Sequence, residues 1–170
     1  MNNDEYMVKL ESSLEKYFDI EKDKEMFGRK FDIYGKYYIR SAKYVAVKTA
    51  EIYAFTSNEY LLYNKSCKRF EKSDIEDINR ILKEHLNDII DIDGDKEHMS
   101  SNITFLVSCE ENPDKDTIKA IKKFKFYKSF AFAFKGWVNV KIIFVNPMTN
   151  NIFTNKLGRR EKKKFSFESK

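Results

Sequence analysis

The strongest constraint on the fold is a repeated change of hydrophobic period along the chain. Apolar residues recur every three or four positions over residues 6–18 and again over residues 73–90, which predicts two helices with one buried face each. Between them, and again after residue 102, apolar side chains alternate with polar ones, as in a half-buried strand. A chain of 170 residues that changes period in this way is predicted to be neither all-α nor all-β. It favours an α+β fold in which helices cover a sheet.

The same pattern predicts the order of the elements. We expect three strands within residues 31–63, one strand over residues 102–109, a short helix after Pro113, and three strands between residues 124 and 155. Residues 19–30 are predicted to be a helix end and a loop, 41–43 a break, and 56–59 a turn, because these stretches are polar or charged. The order is therefore αβββαβαβββ. Short connections favour a mainly antiparallel, or mixed, sheet of about six strands with three helices on one face.

Domain organisation follows from the distribution of apolar residues. With 42% apolar and 15% aromatic residues, the chain can form a core, which excludes wholesale disorder. Residues 1–158 are predicted to form a single α+β domain, since no Pro- or Gly-rich linker interrupts them. Residues 159–170 contain few apolar side chains and are expected to form a basic, flexible tail.

Charge is distributed unevenly along the chain. Residues 1–112 hold 17 basic and 23 acidic side chains, a net charge of −6, whereas residues 113–170 hold 15 basic and 4 acidic ones, a net charge of +11. The overall net charge of +5 conceals this division. A basic C-terminal third predicts contact with an anionic partner, and the opposite charges of the two parts could also attract copies of the chain to one another.

Lysines alternate with aromatic residues over positions 119–128, and five further basic residues lie between positions 159 and 164. Clustered cations bind phosphate, and exposed aromatic rings stack on single-stranded bases. We therefore expect a non-catalytic binding or interaction domain whose basic C-terminal surface contacts nucleic acid or an acidic protein surface. A solvated sheet edge is the alternative interpretation of these lysines. The contacts that we expect are Lys122, Lys123, Lys125, Arg159, Arg160 and Lys163.

One enzymatic alternative arises from the first strands. A helix, a three-stranded meander and a further helix resemble, over about half the chain, the order of elements in restriction-type nucleases. That resemblance implies a metal-dependent nuclease site on adjacent strands, for which Asp32, Lys48 and Glu51 are the candidate residues. The position two residues before Lys48, where the metal-binding acid should stand, is Ala46, so the resemblance implies a divergent or inactive enzyme.

Other catalytic and metal-binding patterns are not found in the sequence. His85 lies on or beside the buried face of the predicted helix, and no serine or cysteine motif accompanies it. His98 has no neighbours at metal-ligand spacing, and Asp91–Asp95 lacks the positions of the glycine and glutamate of an EF-hand loop. Cys67 and Cys109 form no Cys-x-x-Cys motif. We predict no metal and no cofactor.

The N-terminal residues predict the compartment. Residues 1–5 are acidic and begin an amphipathic pattern, which is unlike the basic start and apolar run of a secretory signal. No window approaches the roughly 18 apolar residues that a membrane span needs. We expect a soluble cytoplasmic protein that does not interact with membranes.

Overall fold

The computed structural model describes the backbone of residues 1–44, 51–66, 68–90, 97–130 and 136–167. These residues form a single α+β domain with a mixed sheet and helices on both of its faces. The elements in chain order are α1 (Asn3–Leu14), β1 (Asp19–Met26), β2 (Arg29–Tyr44), β3 (Glu51–Lys65), α2 (Lys72–Ile89), β4 (His98–Ser108), α3 (Lys115–Lys123), β5 (Tyr127–Ser129), β6 (Trp137–Asn146), β7 (Asn151–Thr154) and a C-terminal 3-10 helix (Leu157–Phe165).

The sheet joins an antiparallel meander to a parallel centre. Its strand order is β1-β2-β3-β4-β6, and β5 and β7 both pair with the outer edge of β6. β1, β2 and β3 are antiparallel neighbours, whereas β3, β4 and β6 are parallel. The predicted α+β class, order of element types and mixed sheet are confirmed, but β2 and β3 occupy the region of residues 31–63 in which three strands are predicted. Parallel neighbours need crossover connections, and α2 and α3 lie in those connections.

Two separate hydrophobic clusters hold the layers together. α2, with Ile78 and Leu82 fully buried, packs with α3 on one face of the sheet. α1 packs on the opposite face through Tyr6 and Leu10. The prediction that all helices lie on one face is therefore wrong. Parallel strands in such a sheet are buried on both faces, so a layer of helix is needed on each side.

β1 corrects the prediction of a loop over residues 19–30. Met26 pairs with Arg29, so β1 and β2 form a hairpin with the two-residue turn Phe27-Gly28. Both turn residues have positive φ, +58° and +68°, as a type I′ hairpin turn requires. β1 is an edge strand with mostly exposed, charged side chains, so its sequence lacks the apolar alternation that predicts a strand.

The predicted break at residues 41–43 and turn at residues 56–59 also lie inside strands. β2 continues to Tyr44, and β3 runs through Thr56 to Lys65. Here polar side chains form hydrogen bonds with one another across the sheet, for example between Ser57 Oγ and Ser100 Oγ at 2.7 Å. A polar tetrapeptide therefore forms strand instead of turn, because its partners come from a distant part of the chain.

The C-terminal segment packs on the domain. Phe165 of the 3-10 helix is buried in the α1 cluster, and its carbonyl oxygen accepts a hydrogen bond from Tyr6 Oη at 3.0 Å. Residues 159–170, predicted to be a flexible tail because they contain few apolar side chains, include Phe165, which supplies this packing contact.

Part of the first predicted C-terminal strand, residues 124–134, is described. Tyr127–Ser129 forms β5, and residues 131–135 lie outside the described part.

Within the described ranges, none of the helices is long and apolar enough to span a membrane.

Candidate functional site

The six basic residues singled out in the sequence lie in two segments. Lys122 and Lys123 end α3, and Lys125 follows in the connection to β5. The other three, Arg159, Arg160 and Lys163, belong to the C-terminal 3-10 helix. All six side chains are exposed. We call these two groups the α3 segment (residues 122–125) and the 3-10 segment (residues 158–163).

Asn155 joins the two segments through its side-chain amide. The oxygen accepts a hydrogen bond from the backbone N–H of Gly158 at 3.1 Å, and the nitrogen donates to the carbonyl of Phe124 at 3.4 Å. Lys125 and Arg159 are the next residues along the chain from these two backbone groups. Asn155 is buried after the last short strand, so the fold holds both segments at the same edge of the sheet.

Within the described ranges, none of the six basic side chains forms an ion pair with a carboxylate. Two of the few acidic residues of the C-terminal third already have other partners. Asp114 caps α3 by accepting from Thr117 N at 2.7 Å, and this hydrogen bond lowers the pKa of its carboxyl. Glu161 pairs with Lys141 at 2.5 Å. In the described part of the chain, the six basic side chains thus have no ion-pair partner.

An exposed aromatic residue follows the α3 segment. Tyr127, in β5, is 63% exposed, and its neighbours along the chain include Lys125 and Lys128. Lys128 lies over the ring of Phe130, with Nζ 5.3 Å from the ring centroid. An exposed ring among cations is the arrangement that stacks on a base while the cations contact phosphate.

A second group of polar residues lies on the α1 face of the sheet. Glu59 of β3 accepts a hydrogen bond from Asn102 Nδ2 of β4 at 3.0 Å, and Lys141 Nζ of β6 lies 3.5 Å from its other oxygen. Lys141 is almost wholly buried and makes a shorter contact with Glu161 of the 3-10 helix. Burial raises the pKa of Glu59 despite the nearby ammonium of Lys141.

The sequence does not predict this second group, because its pattern places Glu59 in a turn and Glu161 in a flexible tail. The available signal was Lys141, a single charged residue within the apolar run of β6, because a charge in a strand buried on both faces needs a partner. The identity of that partner depends on contacts between distant parts of the chain.

Asp32 and Glu51, two of the three residues of the nuclease alternative, lie at opposite ends of the β2–β3 hairpin. Asp32, near the start of β2, accepts a hydrogen bond from the backbone N–H of Lys65 at 2.7 Å. Glu51 begins β3 at the opposite end of the β2–β3 hairpin. At ~3.3 Å per residue along β3, about 40 Å separates these ends. Lys48 lies outside the described residues.

The two histidines lie outside the groups described above. His85 stacks on Phe27 with ring centroids 4.9 Å apart, and its Nδ1 lies 3.1 Å from Asp88 Oδ2. His98 is buried, with Nε2 at 2.9 Å from Ser101 Oγ. Among the described residues, no group of three or more His, Cys, Asp or Glu side chains could hold a metal ion.

These observations define an α+β domain with a mixed sheet and helices on both faces. The chain belongs to a family described as a domain of unknown function, DUF8052, whose model matches residues 2–167. No curated protein and no solved structure matches the chain. The family match includes the C-terminal 3-10 helix as well as the sheet.

Proposed function

We propose that this protein is a non-catalytic binding domain that contacts an anionic partner, nucleic acid or an acidic protein surface, through a basic edge. The basic edge consists of Lys122, Lys123, Lys125, Arg159, Arg160 and Lys163. The observation that carries the proposal is the bridge made by Asn155, which bonds to the backbone of both segments. It brings exposed cations from two parts of the chain to one edge of the sheet.

Cations that pair with no carboxylate in the described part of the chain are available to an anionic ligand. A lysine that already pairs with a carboxylate must give up that contact before it binds a phosphate. The cations of the basic edge form no such pairs within the described ranges. Each phosphate that they neutralise releases condensed counterions, so binding to a nucleic acid would depend steeply on salt.

The position of Tyr127 favours nucleic acid over an acidic protein surface. Its exposed ring lies in the strand that follows the α3 segment, where it can stack on an unpaired base. Acidic protein surfaces offer carboxylates but no bases for stacking. Single-stranded nucleic acid is therefore the first ligand to test, and an acidic polypeptide is the second.

The experiment measures binding of the full chain to a mixed-sequence single-stranded DNA by fluorescence anisotropy at several salt concentrations. We expect binding at low salt that weakens as salt rises. Replacing Lys125, Arg159, Arg160 and Lys163 by Gln removes four cations and should lower the slope of log affinity against log salt by roughly 3, at about 0.7 per phosphate contact.

The matched control removes four exposed lysines from the other part of the chain: Lys9, Lys16, Lys72 and Lys83. Both variants lose the same net charge, so an equal effect would mean that only net charge matters and would contradict the proposal. No binding at low salt, or binding without a salt slope, would exclude nucleic acid. Binding to poly-glutamate alone would assign the edge to an acidic protein.

The proposed setting of this function is the cytoplasm. Cys109 is a buried free thiol whose Sγ donates to the carbonyl of Lys68 at 3.2 Å, which suits a reducing compartment. The same basic edge could bind the acidic part of a second copy, making a homo-oligomer. Sedimentation at the low and high salt concentrations of the binding experiment distinguishes self-association from binding to another partner.

A further inference from the structure

A cavity of about 460 Å³ lies on the α1 face of the sheet. It is bounded by the C-terminal end of α1 and the residues that follow, by β2 and β3, and by the C-terminal 3-10 helix. Its volume is within the range of small-molecule sites. It is lined by side chains different from the six of the basic edge, so its function can be argued independently.

Three aromatic residues form one side of the cavity. Tyr17 and Phe18 follow α1, and Tyr37 comes from β2. The ring of Tyr37 lies 6.2 Å from that of Tyr17 and 5.6 Å from that of Phe18, measured between centroids. Tyr17 is 66% exposed although it contacts this cluster, which places it where the cavity opens to solvent. Clustered aromatic faces attract cations through their negative π surfaces.

The charged residues of the cavity are not evenly compensated. Glu59 and Glu161 both line it, and Lys141 lies between them. The ammonium of Lys141 is 2.5 Å from Glu161 but 3.5 Å from Glu59. Glu59 therefore accepts one neutral hydrogen bond, from Asn102, and shares the single ammonium of Lys141 with Glu161, so two carboxylates are paired with one cation. Burial raises the pKa of Glu59, the ammonium of Lys141 acts in the opposite direction, and the second carboxylate, Glu161, raises this pKa further.

We propose that this cavity binds an organic ammonium ion with apolar substituents. The apolar groups would contact the rings of Tyr17, Phe18 and Tyr37, and the positive charge would lie near the carboxylate of Glu59. Aromatic clusters with an adjacent carboxylate recognise quaternary and alkylated ammonium groups, because the ring faces and the carboxylate both favour positive charge while the walls favour the alkyl groups.

Among the described residues that line the cavity, Lys164 is the exposed cation, and it opposes such a ligand. It lies on the 3-10 helix and carries its charge on a flexible side chain. Its removal should therefore increase affinity for an ammonium ion, whereas loss of the Glu59 charge should decrease it. These two opposite effects distinguish charge recognition from unspecific filling of an apolar cavity.

The test compares choline with 3,3-dimethylbutan-1-ol, which has the same shape without the charge. Binding to the full chain is followed by two-dimensional NMR of the backbone amides. We expect choline to bind in the millimolar range, with shifts confined to residues around the cavity, and the alcohol to bind about tenfold more weakly. Equal affinity for both ligands would overturn the proposal.

Variants test the assignment of individual groups. Glu59→Gln keeps the hydrogen bond with Asn102 and should reduce choline affinity about tenfold, whereas Lys164→Gln should increase it. Tyr17→Ala changes an exposed side chain, so it leaves the fold intact and should weaken choline binding even if Glu59→Gln does not fold. Glu111→Gln, at an exposed residue far along the sheet, is the matched control. Unchanged affinity in both Glu59→Gln and Tyr17→Ala, or shifts located at the basic edge, would contradict the site.

Discussion

The cations of the N-terminal and C-terminal parts of the molecule have different surroundings. Before residue 112, many basic side chains have a carboxylate within ion-pair distance, such as Lys30 with Asp23 at 2.6 Å and Arg40 with Glu97 at 2.8 Å. After residue 112, within the described ranges, Lys141 is the basic residue that does. Net charge therefore says less about how strongly a surface attracts anions than the fraction of its positive charges that are not in ion pairs.

Lys141 also shows that the C-terminal third contains two kinds of cation. The cations of the basic edge are exposed, whereas Lys141 is buried between two carboxylates. An exposed cation costs little to maintain in water, but a buried one depends on its partners. Changes at the two kinds of site should therefore differ widely in their effect on stability.

The largest effect is expected for Lys141→Met. Loss of the ammonium leaves Glu59 and Glu161 as neighbouring, partly buried negative charges, which should lower the free energy of unfolding by about 3–5 kcal/mol. Urea denaturation measures this change. Lys162→Met, at an exposed lysine of the same 3-10 helix, is the control and should change stability by less than about 0.5 kcal/mol. Similar values for the two variants would remove the distinction between buried and exposed cations.

A smaller effect is expected for Asn155→Ala. The substitution leaves the backbone groups of Ile142, Val140 and Gly158 without their side-chain partner, which should lower the free energy of unfolding by about 2–4 kcal/mol. It should also weaken DNA binding, although no cation is removed, because the two basic segments lose their common support.

The control for Asn155→Ala is Asn151→Ala, at an exposed asparagine of β7. It should change the free energy of unfolding by less than about 0.5 kcal/mol. If Asn155→Ala destabilises the fold but binds DNA as tightly as the unaltered protein, the alignment of the two segments does not matter for binding.

The smallest effects are expected at the surface. Arg80 of α2 lies 3.1 Å from Asp77 and 3.6 Å from Glu84, and Arg80→Gln should cost about 0.3–0.5 kcal/mol. Lys163→Gln removes an unpaired cation and should leave the free energy of unfolding unchanged or slightly higher. Thermal unfolding at low salt compares the two variants. A larger loss for Lys163→Gln would reveal a partner for that residue within the protein.

The fold could be predicted where the burial of one face produces a regular hydrophobic pattern in the sequence. The apolar stripe of α2 and the alternation of β6 both correspond to buried faces. β1 was not predictable in this way, because an exposed, charged edge strand has no buried face to produce alternation. The polar residues 56–59 were misleading for another reason, since their partners in β4 are about 43 positions away in sequence.

The candidate sites were predictable only as separate residues. Clustered lysines are visible in the sequence, but Asn155 links Phe124 and Gly158, the residues before Lys125 and Arg159, and this role needs the folded geometry. The cavity is harder to predict from the sequence than the basic edge. Glu59, Lys141 and Glu161 come from three elements, and only the sheet register and the packing of the 3-10 helix bring them together.

The position of Asn155 has a consequence for solubility. β5 pairs with β6 up to Asn139 and β7 pairs with it from Ile143, so the edge of β6 is open between them. Asn155 fills this gap like a residue of a neighbouring strand: its side-chain amide bonds to Ile142 N and Val140 O, and its backbone N–H donates to Ile142 O at 3.3 Å. An open strand edge is a template on which other chains can aggregate. One asparagine thus removes a point of intermolecular strand pairing at a place where two short strands fail to meet.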